Sequence, residues 1–155
     1  MYKGLLHLHS VLRWVILILF LVAIYKSFAD RHKAYGPSHQ KSAFWLMISC
    51  DIMLLLGLYQ WFAGDWGLKM IRTMGFGNVM KTPPLRFFAV EHITAMILAI
   101  VLVHVGYGFT KKNIPDSMKH KRVLVFFGLA LLIVLISIPW PFRAVGAGRT
   151  WFPGM

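Results

Sequence analysis

Four long apolar runs, separated by shorter polar stretches, set the expected architecture. Gly4 to Tyr25, Ser42 to Phe62, Phe87 to Thr110 and Val123 to Phe142 each reach the roughly 20 residues that cross a hydrocarbon core of about 30 Å at about 1.5 Å per residue. The first carries only Arg13, the second only Asp51 and the third only Glu91, while the fourth has no charge. Pro139 and Pro141 stop the last run, because proline cannot continue helix hydrogen bonding. The pattern predicts helices over 4–25, 42–62, 85–110 and 121–140 in one domain covering 1–155. The fold class is all-α, an integral membrane four-helix up-and-down bundle, since short connections make successive helices antiparallel neighbours.

The connection from Ala63 to Arg86 is the long one. Trp66, Met70, Ile71 and Met74 recur there at helical spacing beside Lys69 and Arg72, the pattern of a short helix lying in the membrane interface. Gly75-Phe76-Gly77-Asn78 should break it, and Thr82-Pro83-Pro84 should open the third spanning helix, with Thr82 as cap. Met70, Met74 and Met80 are soft donors suited to Cu(I), but their irregular spacing and the place of the first two on the apolar face argue against copper.

Composition sharpens this reading. The 155 residues are 58% hydrophobic and 14% charged, with 17 Lys plus Arg against 5 Asp plus Glu. A net charge of +12 on a soluble chain would point to nucleic acid; flanking apolar runs, it points to membrane edges and to lipid as the partner, with no nucleic acid. The single Cys50 excludes an intramolecular disulfide. The opening run is too long for a signal-peptide core of about 7 to 15 residues and contains His7, His9 and Arg13, so it reads as a spanning helix. Basic residues are nine on the side of the first and third connections and seven on the other, a bias that puts both termini outside the cytoplasm. No phosphate loop, Ser-His-Asp order or catalytic carboxylate pair is present.

Ionisable groups inside spanning helices cost about 2.5 to 3.5 kcal/mol each on insertion scales and so need a partner or a task. His9 follows Lys3 by six residues and His92 follows Arg86 by six, which sets both about 9 Å inside the same face of the membrane. Helices one and three are diagonal in such a bundle, the arrangement that bis-histidine ligation of a haem b requires. Ala95, Met96 and Ala99 leave room for a flat ring near His92. His7 competes with His9, but the two lie about 200° apart on the helix, and His9 is favoured as the deeper one with Arg13 below it. Arg13, Arg86, Arg143 and Arg149 are the candidates for the haem propionates, with Arg13 alternatively paired to Glu91. The competing account makes these histidines interfacial groups bonded to head groups or carbonyls, and the arginines interfacial anchors.

A second haem at the inner end is disfavoured, because His104 has no histidine partner at its depth. His104 and Asp51 are expected to hydrogen-bond inside the bundle, with a proton or quinone site as the sharper alternative. His32, His39 and His120 fall in basic connections and read as solvated.

The opening Gly4-Leu5-Leu6-His7-Leu8-His9-Ser10 with Leu12-Arg13-Trp14, together with Glu91-His92, resembles the motifs of small bacterial membrane proteins of the cytochrome b type. That resemblance implies a multi-pass protein of the bacterial cell membrane carrying haem b on His92 and His9 or His7. It implies a respiratory or redox role. Two histidines on the iron leave no open coordination position, so electron transfer is expected over stand-alone enzyme chemistry, and a chain with so little extramembrane mass needs a quinol or a larger redox complex as partner. The alternative class is a cofactor-free accessory or scaffold subunit whose polar residues only join helices.

Overall fold

The computed structural model describes residues 2–146 and Trp151. Its elements run α1 (Tyr2–Ala29), α2 (Pro37–Ala63), α3 (Leu68–Met74), α4 (Phe76–Lys81), α5 (Pro83–Arg86), a π-helical turn (Phe87–Glu91) leading into α6 (His92–Thr110), then α7 (Asp116–Ser137) and a 3-10 turn (Ala144–Gly146). Among the described residues, four stretches are long and apolar enough to cross a bilayer: Gly4–Ala29, Pro37–Met74, Pro83–Thr110 and Asp116–Ser137. The chain is therefore a multi-pass membrane protein.

α1 packs mainly on α2 and α7, and α6 packs mainly on the same two, so α1 and α6 occupy opposite corners of a four-helix ring. The core lies along their shared axis. Phe20 meets Phe127 edge to face at 6.4 Å, with Leu46, Val103, Val123 and Ala130 buried around them. Gly106 lets α6 and α7 approach: a Cβ there would lie 2.9 Å from both Phe126 Cβ and Phe127 Cε1. Large apolar side chains such as Leu21, Leu55 and Ile136 point outward, as lipid-facing positions should.

The helices overrun the apolar stretches that predict them. α1 continues to Ala29, α2 begins at Pro37 and α7 at Asp116, so each extends past the hydrocarbon into polar sequence. Proline supplies the starts, with Pro37 in the first turn of α2 and Pro115 at the N-cap of α7. α7 stops at Ser137 rather than near 140 because Ile138, which precedes Pro139, is extended with ψ 131°. The long connection also differs from expectation. Only Gly75, at φ 80°, breaks it, and Phe76–Asn78 is helical, giving two short helices in place of one. Thr82 stands at the N-cap of α5 as expected, but its hydroxyl makes no capping bond and donates instead to the Asn78 carbonyl at 3.2 Å.

Candidate functional site

At the end of the bundle where α1 begins, α1, α2, α6 and the end of α7 enclose a cavity of about 170 Å³. His9, Ser10 and Arg13 line it from α1, Gly57, Gln60 and Trp61 from α2, and His92, Met96 and Ala99 from α6, with Ile138 and Pro139 beyond α7. His9 and Arg13 share the cavity because residues four apart share a helix face. Gly57 lies opposite His9, where an added Cβ would sit 3.6 Å from the imidazole Cε1.

His92 is held from two directions. The π turn ends on it, its backbone N–H donating to the Phe87 carbonyl five residues back. One extra residue in that turn resets the helix phase just before His92, a device often found at functional positions. Its ring Nδ1 donates to the Ser137 carbonyl at 2.7 Å. A carbonyl only accepts, so in the neutral ring Nδ1 carries the proton and Nε2 is the basic nitrogen.

The α2 wall is tied down by side chains. Gln60 Nε2 donates to the Leu5 carbonyl at 3.0 Å, and Trp61 Nε1 to the Ala89 carbonyl at 2.9 Å. The connection after α2 folds tightly onto Trp61, where a Cβ at Gly67 would fall 2.1 Å from the Trp61 carbonyl oxygen. Over α1, Arg13 donates to Ser10 Oγ at 3.4 Å and to the Trp151 carbonyl at 2.5 Å. Its guanidinium lies 5.3 Å from the Trp14 ring, which packs with Trp140 and Trp151 at centroid distances of 6.2 and 6.3 Å.

The other predicted residues take different positions. His7 is half-buried and does not line the cavity. Arg86, not Arg13, pairs with Glu91, at 2.5 Å, and also donates to the Met80 carbonyl at 3.2 Å. Arg143 donates to the carbonyls of Ile136 and Ile138, closing the end of α7, and stands over Phe87 at 5.4 Å. Arg149 lies outside the described residues. Of the candidate arginines that are described, Arg13 alone stands in the cavity wall.

His104 Nε2 does meet Asp51 Oδ1, at 3.3 Å, but the two side chains are 44% and 39% exposed. The pair faces outward rather than into the bundle as expected. The inward stripe of α6 passes through Ala99, Val103 and Gly106, leaving His104 on the outer side, where its Nδ1 donates to the Ile100 carbonyl at 3.0 Å.

At the opposite end of the bundle, His39 and His120 are buried rather than solvated, at 9% and 0% exposure. Their rings are 4.9 Å apart, and Tyr35 packs on them at 5.2 and 4.9 Å. His39 Nδ1 accepts the Gly36 N–H at 3.2 Å, so Nε2 donates to Asp30 at 3.1 Å. Lys33, at 2.8 Å, and His39 hold the Asp30 carboxyl below its usual range. Burial pushes the Tyr35 phenol well above its ordinary value. The signal in the sequence is Gly36-Pro37 and Pro115-Asp116: read as helix starts, they bring His39 into the first turn of α2 and His120 into the second turn of α7, both packed on the bundle. His32 is exposed, as expected.

Comparison with family models, with curated proteins and with solved structures found no match.

Proposed function

We propose that this chain is an up-and-down four-helix membrane protein that holds one haem b between His9 and His92 and transfers electrons. The observation that carries the reading is the convergence of these two histidines, from opposite corners of the ring, on one otherwise largely apolar cavity. Two imidazoles are a sufficient protein ligand set for a cofactor that brings its own equatorial nitrogens, as a porphyrin does.

The chain's own groups suit that role. The Ser137 carbonyl on Nδ1 directs His92 Nε2 as the donor nitrogen and raises its basicity. Gly57 keeps the space beside His9 open. Arg13 gives the cavity a positive charge that favours an acidic group such as a propionate at its edge. Arg13 lines the cavity and Arg86 and Arg143 do not, so Arg13 is the arginine assigned to this task. Haem b, when bound, would supply a one-electron couple, and His9 and His92 would be the residues that hold it. Donor and acceptor are a membrane quinol or a neighbouring redox subunit, the setting is the bacterial cell membrane, and both termini lie outside the cytoplasm.

The test is the absorption spectrum of protein purified from a haem-competent host. A low-spin b-type spectrum is expected, lost in His92→Ala and His9→Ala and kept in His7→Ala. A colourless wild-type protein of full stability would overturn the proposal and favour a cofactor-free scaffold subunit.

A further inference from the structure

The five acidic side chains are all engaged: Asp30 with Lys33 and His39, Asp51 with His104, Asp65 with Lys69, Glu91 with Arg86 and Asp116 with Lys119. Lys112 and Arg122, at the end of the bundle away from the cavity, take no part in these pairs. Both stand on one ring instead, Lys112 Nζ 4.5 Å and Arg122 Cζ 4.9 Å from the centroid of Phe109. Phe109 in turn stacks on Phe126 at 5.5 Å with an interplanar angle of 20°, joining α6 to α7. An aromatic face attracts each cation but does not neutralise either, and two cations on one ring repel each other. An anion reaching both relieves that repulsion.

The surface running away from these cations is apolar. Leu98, Val105 and Phe109 recur along α6, and Phe126 and Leu129 follow Arg122 along α7, at spacings that keep each set on one helix face. Leu98, Val105 and Leu129 are 52%, 40% and 48% exposed, so this face of the α6–α7 pair is open to the bilayer. A cationic head above an apolar face matches an amphiphile with an anionic head.

We propose that the exposed α6–α7 face binds a phospholipid of net negative headgroup charge, its phosphate between Lys112 and Arg122 and its acyl chains along that face. The site is independent of the haem reading, since none of its residues lines the cavity. A hydrogen bond from each cation to the phosphate is worth about five-fold in affinity, so losing both should weaken binding roughly thirty-fold.

The full chain, delipidated in detergent, would be titrated with phosphatidylglycerol, phosphatidylcholine and inorganic phosphate while thermal stability is followed. Phosphatidylglycerol should raise the midpoint and phosphatidylcholine should not. The shift should need roughly thirty-fold more phosphatidylglycerol in Lys112→Ala/Arg122→Ala and be unchanged in Lys41→Ala/Lys121→Ala, which removes the same charge from the same end. Equal responses to both lipids, equal losses in both double variants, or the same shift with inorganic phosphate alone would each overturn the proposal. Matching far-ultraviolet dichroism of the variants in detergent establishes that they fold.

Discussion

Gly57 offers a perturbation of the cavity that touches neither histidine. A Cβ built there sits 3.6 Å from His9 Cε1, an ordinary van der Waals contact, so Gly57→Ala meets no steric barrier. Alanine also gains about 1 kcal/mol over glycine within a helix, equivalent to roughly 2 to 4 °C in a chain of this size. Gly57→Leu shares most of that helical gain but sends three further carbons past the Cβ into the space beside the imidazole. The two variants thus separate fold from cavity: both should melt at or above the wild-type temperature, Ala should keep haem and Leu should lose it. Haem content per protein, read from the Soret band after purification, measures one quantity, and thermal denaturation in detergent measures the other. A Leu variant with full haem occupancy would refute the placement of the cofactor beside Gly57. A Leu variant that fails to fold would refute the reasoning that the space there is open.

The close approach of α6 and α7 predicts that Gly106→Ala destabilises by about 1–3 kcal/mol through overpacking on Phe126 and Phe127. Gly108→Ala, with no atom within 4 Å of its Cβ, should be neutral or stabilising in the same melt. At the other polar cluster, Lys33 and then His39 lower the folded-state pKa of Asp30, so its contribution to stability is complete above the unfolded value near 3.8 and disappears as pH falls through the folded one. Asp30→Asn should therefore lie below wild type at neutral pH and meet it in strongly acidic buffer; parallel melting curves across that range would contradict the linkage. Reporter fusions at the C-terminus and in the 111–115 connection should fall in opposite compartments, and a shared compartment would remove the four-crossing topology.

The spanning helices are legible in sequence because the hydrocarbon core requires a continuous apolar run at each crossing. Their true ends are not, because a helix leaving the bilayer continues in polar residues that hydropathy reads as connection; α2 begins at Pro37 and α7 at Asp116 for this reason. Counting depth from Lys3 and Arg86 set His9 and His92 at one end, since the rise per residue is fixed, and both line the cavity. The same count pairs Asp51 with His104 but says nothing of the direction they face, which depends on helix phase. The arginines are less legible. A guanidinium reaches many acceptors, and Glu91 and the carbonyls at the end of α7 are near enough to claim Arg86 and Arg143. The π turn before His92 left no mark that periodicity could detect.

The two ends of the bundle also bear on how far an electron could travel in one chain. His39 on α2 and His120 on α7 form a second histidine pair, on the other diagonal of the ring, at the end opposite the cavity. A macrocycle held by this pair would need its plane to pass between the two rings. His39 and His120 instead meet edge to face at 4.9 Å and 85°, with Tyr35 packed on both. Both nitrogens of His39 are engaged by Gly36 and Asp30. The arrangement suits packing of the 30–36 connection onto α7 and leaves no room for a macrocycle between the rings. On the proposed reading the protein therefore holds its haem near one face, and electrons enter and leave on that side. Splitting the His39 and His120 rings, as His120→Leu would do, should lower stability without altering the haem spectrum, whereas a loss of half the haem absorbance would show that the far pair binds a second one.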